Sequence, residues 1–164
     1  MAETLKVGMA ELKVARPPQK LGCFGVGSCV VVALHDPQAG LGGLAHAMLP
    51  SATGAAAAEG EPGAKFADTA VASLVQAMEK EGAKRERMNA RLIGGATMFT
   101  FPGKGEPQMP LGERNLAAAR RALSELGIPV KAEDSGGSNG RSLELEPGEG
   151  TLTVWSAFQY VRWL

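Results

Sequence analysis

The sequence predicts an α+β fold, an α/β layered sandwich of mostly antiparallel strands with two main helices. Short apolar, β-branched runs recur along the chain, as in the CVVVAL stretch from Cys29 to Leu34. Two segments space apolar residues at helical period: Lys65 to Glu81 and Leu111 to Leu126. The 22 glycines and 10 prolines supply the turns that hairpin-linked strands need.

Leu5 to Ala15 reads as one strand whose apolar alternation slips once, ended by Pro17-Pro18. Cys29 to Leu34 reads as a buried strand. His35-Asp36-Pro37-Gln38-Ala39-Gly40 is turn chemistry, and Gly42 to Leu49 is the returning strand of a hairpin. Ser51 to Ala64 is rich in small residues and reads as a mobile loop. The first helix carries Val71, Leu74, Val75 and Met78 on one face, with Gly82 at its end. Arg91 to Phe101 holds a strand, and Gly103 to Pro110 a loop. The second helix carries Leu116, Ala119, Ala122, Leu123 and Leu126, with Gly127 after it. Val130 to Glu133 is a short strand, and Leu143–Leu145 with Thr151–Trp155 a last hairpin around Pro147 to Gly150.

Composition narrows the function. A chain of 164 residues fits one domain, with a core over about 5–155. Lys+Arg and Asp+Glu both number 17, which gives no global field for nucleic acid or an anionic membrane. No apolar run reaches membrane-spanning length, and Met1 to Lys20 lacks the apolar stretch of a signal peptide. The expectation is a cytoplasmic protein with reduced thiols at Cys23 and Cys29. No Gly-rich phosphate loop follows a strand, and the Cys and His spacings do not match a zinc site, so neither cofactor nor metal is expected.

The chemistry concentrates between Gly25 and Pro50. Cys29 follows Gly25-Val26-Gly27-Ser28, where a Gly-rich turn becomes a strand. Backbone N–H groups near Gly27, Ser28 and Cys29 are there for an oxyanion. A turn centred between Pro37 and Gln38 places Cys29 directly opposite His46 on one face. A thiol beside an imidazole gives a nucleophile with its general base. A small buried cysteine and a satisfied core histidine are the plain structural readings of the same residues. The aromatic segment Val154 to Leu164 reads as a strand and tail closing the core, with an apolar docking surface for a partner or subunit as the alternative.

These residues resemble the CheD family of chemoreceptor glutamine deamidases. The resemblance lies in G-x-G-S-C at Gly25–Cys29, then D-P-x-A-G-x-G-G-x-A-H-x-M-L-P-S from Asp36 to Ser51. It continues in Lys65–Asp68, Gly94–Phe99, Gly112–Asn115, Glu133–Gly137 and Gly140-Arg141. It implies a fold similar to the catalytic domains of glutamine-deamidating toxins. It also implies hydrolysis of receptor glutamines to glutamate with release of ammonia, and in some members methylesterase activity. By resemblance the nucleophile falls on Cys29, the general base on His46, and the usual partner is the phosphatase CheC. The family's third active-site residue is usually a threonine, and Cys23 stands in its place. A thiol is a weaker acceptor for an imidazole N–H. That departure keeps open a non-catalytic chemotaxis module that binds CheC or receptors, and because the same Cys–His pair serves any acyl transfer, another thiol amidase is the second alternative.

Overall fold

The computed structural model describes residues 3–51, 63–98, 109–156 and 161–164. Among them are ten strands, two α-helices and one short 3-10 helix. The strands are β1 Thr4–Lys6, β2 Leu12–Ala15, β3 Lys20–Val26, β4 Val30–Asp36, β5 Leu41–Ala47, β6 Asn89–Gly94, β7 Val130–Ser135, β8 Arg141–Glu146, β9 Thr151–Trp155 and β10 Val161–Trp163. The helices are α1 Ala67–Lys80 and α2 Leu111–Glu125. One sheet has the order β1-β3-β8-β9-β10 and the other β2-β5-β4-β6-β7. Pairing is antiparallel except at β1–β3 and β6–β7, so the expected α+β sandwich is present.

Alternation in β4 and β5 makes three layers. Val30, Val32, Leu34, Ala45 and Ala47 pack with Leu74, Met78, Leu116 and Leu123 of the helices. Val31, Ala33 and Leu44 point the other way, into a second cluster with Leu21, Cys23, Leu143, Leu145 and Val154 of the first sheet. The central sheet is therefore apolar on both faces, which is why β4 and β5 read as continuous apolar runs. Both helices sit where their apolar spacing puts them. Asp68 lies in the first turn of α1, and Gly82 follows its end at φ 105°.

The N-terminal strand is two strands. Gly8 to Glu11 form a turn, closed by the Glu11 N–H donating to the Gly8 carbonyl at 3.0 Å. Ala10 occupies its left-handed position at φ 66°. The turn carries the chain from one sheet to the other, so the slip in alternation marks a crossover. Strand β3 was not expected, because Gly22 and Gly25 break its pattern. Its ladder with β8 is irregular between Cys23 and Val26, where Phe24 and Gly25 swing outward.

The hairpin also differs in register. Val31 pairs with His46 and Asp36 with Leu41, so the connection is the four-residue stretch Pro37–Gly40. The Asp36 carboxylate accepts the Gln38 and Ala39 N–H groups and shapes that turn. The direct Cys29–His46 opposition is therefore incorrect. The slip is two residues, so both still face the same side.

Residues 52–62 of the expected mobile loop lie outside the described residues, whereas Ala64 is buried against the core. Most of the loop expected at Gly103 to Pro110, and Phe99 to Phe101 of the strand expected there, also fall outside them. The C-terminal expectation is corrected in part. Val154 is core, but β10 is an exposed edge strand, and Trp163 is 71% exposed.

Candidate active site

Cys29 immediately precedes β4, and the local sequence explains how it is held. Three successive carbonyls are engaged. The Gly27 oxygen accepts the Ala96 N–H at 3.0 Å, and the Cys29 oxygen accepts the Gly95 N–H at 2.8 Å. The Ser28 oxygen accepts the Asn115 Nδ2 at 2.9 Å. Asn115 also donates to the Met48 carbonyl at 3.0 Å, so one buried amide bolts α2 to both strands of the hairpin. This close approach needs glycine. A Cβ on Gly112 would lie 2.4 Å from the Gly95 oxygen, and one on Gly95, at φ 68°, 2.4 Å from Leu116 Cδ1.

The Cys29 thiol is half-buried and packs against the inter-sheet cluster. Burial pushes its pKa up, and its own backbone N–H offsets only part of that rise.

His46 lies on β5, 5% exposed, on the face of Val31 and Leu44 that looks toward the first sheet. Its Nδ1 donates to the Val7 carbonyl at 3.2 Å. A carbonyl only accepts, so the neutral ring carries its proton on Nδ1 and leaves the Nε2 lone pair available. Burial lowers the His46 pKa, while the Val7 carbonyl and the Glu11 charge oppose that shift. The resting thiol and imidazole are thus both driven toward neutrality by burial, which disfavours a preformed ion pair.

Cys23 points inward from β3 and is wholly buried. Burial first, then the neighbouring Cys29 and Glu11, push its pKa to about 12. Both cysteines are free thiols. Cys23 from the first sheet, and Cys29 and His46 from the second, therefore point into the same inter-sheet layer. His46 Nδ1 is held by the Val7 carbonyl, not by Cys23. Met98 extends beside Gly27, its Cγ 3.3 Å from where a Cβ would stand.

Sequence reasoning missed Val7, Glu11 and Asn115. A main-chain acceptor leaves no side-chain signal. Asn115 did leave one: an amide on the apolar stripe of α2 beside Leu116 and Ala119. Arg141, quoted above within the Gly140-Arg141 motif, is buried. It pairs with Asp134 at 3.0 Å and donates to the Asp134, Gly136 and Asn139 carbonyls, tying the Gly136-Gly137 turn. His35 closes the far end of β4, its Nε2 donating to the Pro147 carbonyl at 2.8 Å. Among the described residues no helix is long and apolar enough to cross a membrane.

The chain falls in a class of chemotaxis proteins: residues 48–156 match the family model described as CheD chemotactic sensory transduction. A probable chemoreceptor glutamine deamidase CheD of Desulfitobacterium hafniense is 44% identical over 154 residues, 94% of each chain. The chemoreceptor glutamine deamidase CheD of Halalkalibacterium halodurans is 42% identical over 159 residues, 97% of each chain. Among solved structures, a Bacillus licheniformis hypothetical protein YfiH aligns with a TM-score of 0.48 at 22% identity, over 75% of this chain and 49% of that one. The chain belongs to the CheD family.

Proposed function

We propose that this protein is a protein-glutamine glutaminase that deamidates chemoreceptor glutamines, with Cys29 as nucleophile and His46 as general base. Family membership gives the reaction. The observation that carries the mechanism is the shared inter-sheet face of Cys29 and His46, with the His46 proton fixed on Nδ1 by Val7. His46 Nε2 takes the Cys29 proton as the sulfur attacks the carboxamide carbon of the glutamine side chain. Backbone N–H groups at Gly27, Ser28 and Cys29 hold the oxyanion, a contribution worth about 3–4 kcal/mol in other enzymes. The imidazolium returns its proton to the departing nitrogen, ammonia leaves and a thioester remains. His46 then activates water, which displaces the sulfur and releases glutamate. A glutamate methyl ester is attacked in the same way, with methanol leaving, and we include methylesterase activity in the proposal. Cytoplasmic receptor domains are the substrates, which places the protein in the cytoplasm, and a CheC-type phosphatase is its partner.

The test is incubation with a glutamine-bearing receptor cytoplasmic fragment, wild type beside Cys29→Ala. A gain of about one dalton per site with wild type only supports the proposal. Deamidation that survives in Cys29→Ala removes the thiol mechanism. No gain with several receptors favours a binding module.

A further inference from the structure

Continuing the β2–β5 register past Leu12↔Ala45 brings Glu11 to the level of His46. The two are joined through the backbone. The His46 N–H donates to the Glu11 carbonyl at 3.0 Å, and the His46 carbonyl accepts the Ala10 N–H at 2.8 Å. The Glu11 side chain turns back on its own loop, where its Oε1 accepts the Gly8 N–H at 2.7 Å. Gly8 follows Val7, whose carbonyl holds His46 Nδ1. One carboxylate thus closes a ring of bonds running from His46 through Glu11 and Gly8 to Val7 and back to the imidazole.

We propose that Glu11 is a positioning residue for the His46 ring: its grip on Gly8 aims the Val7 carbonyl at Nδ1, and its charge stabilises the imidazolium formed when His46 takes the Cys29 proton. The inference rests on the Cys29–His46 reading above. The surroundings of the ring are consistent with it. The inter-sheet layer that His46 faces holds the Cys23 thiol from β3, the Cys29 thiol from the start of β4 and the hydrocarbon of Val31 and Ile93. Lys13, further along β2, has its Nζ bonded to the Lys6 carbonyl at 2.6 Å. Glu11 is the charged side chain that acts on the imidazole, and it acts to keep the ring protonated. The turn also holds a left-handed alanine, Ala10, kept in place by bonds from its N–H to His46 and from the Ala64 N–H to its carbonyl.

Two variants test this. Glu11→Gln keeps an oxygen for Gly8 and loses the charge, and Glu11→Ala loses both. Each is measured for kcat and KM on a receptor fragment, and for the His46 midpoint by NMR titration. In Glu11→Gln the His46 midpoint is expected to fall by about 0.3 pH unit or more, a twofold change in proton affinity. In Glu11→Ala kcat is expected to fall about fivefold or more with KM within about twofold, the mark of an interaction made in the transition state. A smaller midpoint change, or an Ala variant that keeps its kcat, overturns the proposal. Should Glu11→Ala not fold, the Gln midpoint alone decides. His46→Ala serves as control: if it retains full activity, the Cys29–His46 reading itself has failed, whatever Glu11 does.

Discussion

Val31 stands directly opposite His46 in the β4–β5 ladder. Cys29 lies two residues before Val31, on the same face and one diagonal step from the histidine. Backbones on such a diagonal are about 7–8 Å apart, a span for a long side chain reaching toward a short one. Imidazole and thiol suit it. Replacing His46 with alanine should therefore leave Cys29 with no base across the diagonal. We expect Cys29→Ala and His46→Ala each to lower deamidation by about a thousandfold or more, as loss of one member of a nucleophile–base pair does elsewhere. Receptor-fragment mass spectrometry reads the rate. A His46→Ala enzyme within about tenfold of wild type would sink this pairing.

The two thiols should react very differently. Cys29 is half-buried beside its own amide, whereas Cys23 is wholly buried with a pKa pushed to about 12. At neutral pH the Cys23 thiolate fraction is of order 10⁻⁵. Iodoacetamide should alkylate Cys29 at least about a hundredfold faster in the native protein, and the two should converge in urea. Equal native rates, read by peptide mapping, would contradict the buried placement of Cys23.

Gly112 is expected to be intolerant of any side chain. Its missing Cβ admits the Gly95 and Ala96 carbonyls within 2.4–2.5 Å of that position, against rigid backbone. Gly112→Ala should push α2 away, loosening the Asn115 bonds to Ser28 and Met48 that hold the Cys29 turn. We expect a loss of roughly 1–3 kcal/mol in urea unfolding, the range for overpacking, with a fall in kcat at temperatures where the variant is folded. A variant with wild-type stability would mean that the helix start is free to move.

Acid should weaken the fold before it protonates carboxylates. Burial holds both His35 and His46 below their ordinary value of 6.5. The unfolded chain therefore binds protons first as pH falls. The stabilisation is complete above about pH 6.5 and is lost as pH drops below it toward the folded values. Asp36, held below 3.8 against its burial by Arg87 and the Lys84 and Ala39 N–H groups, adds its own loss only below that value. Urea midpoints should decline from pH 7 to about 5, and less steeply in His35→Gln. An identical slope in that variant would remove His35 from the explanation.

How far the residues themselves foretold this arrangement depends on what kind of signal each feature leaves. The helices were legible to within two residues at each end, because a buried stripe must recur at 3.6 residues whatever its neighbours are. The β4–β5 hairpin was legible as a pair of apolar runs. Its register was not, since Pro37 to Gly40 accommodates either a two- or a four-residue connection and only the Asp36 carboxylate decides. The break between β1 and β2 was written as a lost alternation at Ala10 and Glu11, yet a single slip is equally the mark of a bulge. Cys29 stood out by its Gly-rich approach. Asn115 was quoted within a motif without a role, because the groups it binds are main-chain oxygens distant in sequence.

The acceptor that orients His46 is a peptide oxygen, and this has a consequence for heredity. No codon change at position 7 can delete it. Drift among apolar residues that fill the 1%-exposed Val7 site should pass unseen by the His46 ring. Selection on that acceptor must act on its neighbours, through residues that bend the chain or through insertions and deletions that shift it. A survey of tolerated changes would then find position 7 permissive in identity while the spacing from residue 7 to residue 11 stays fixed.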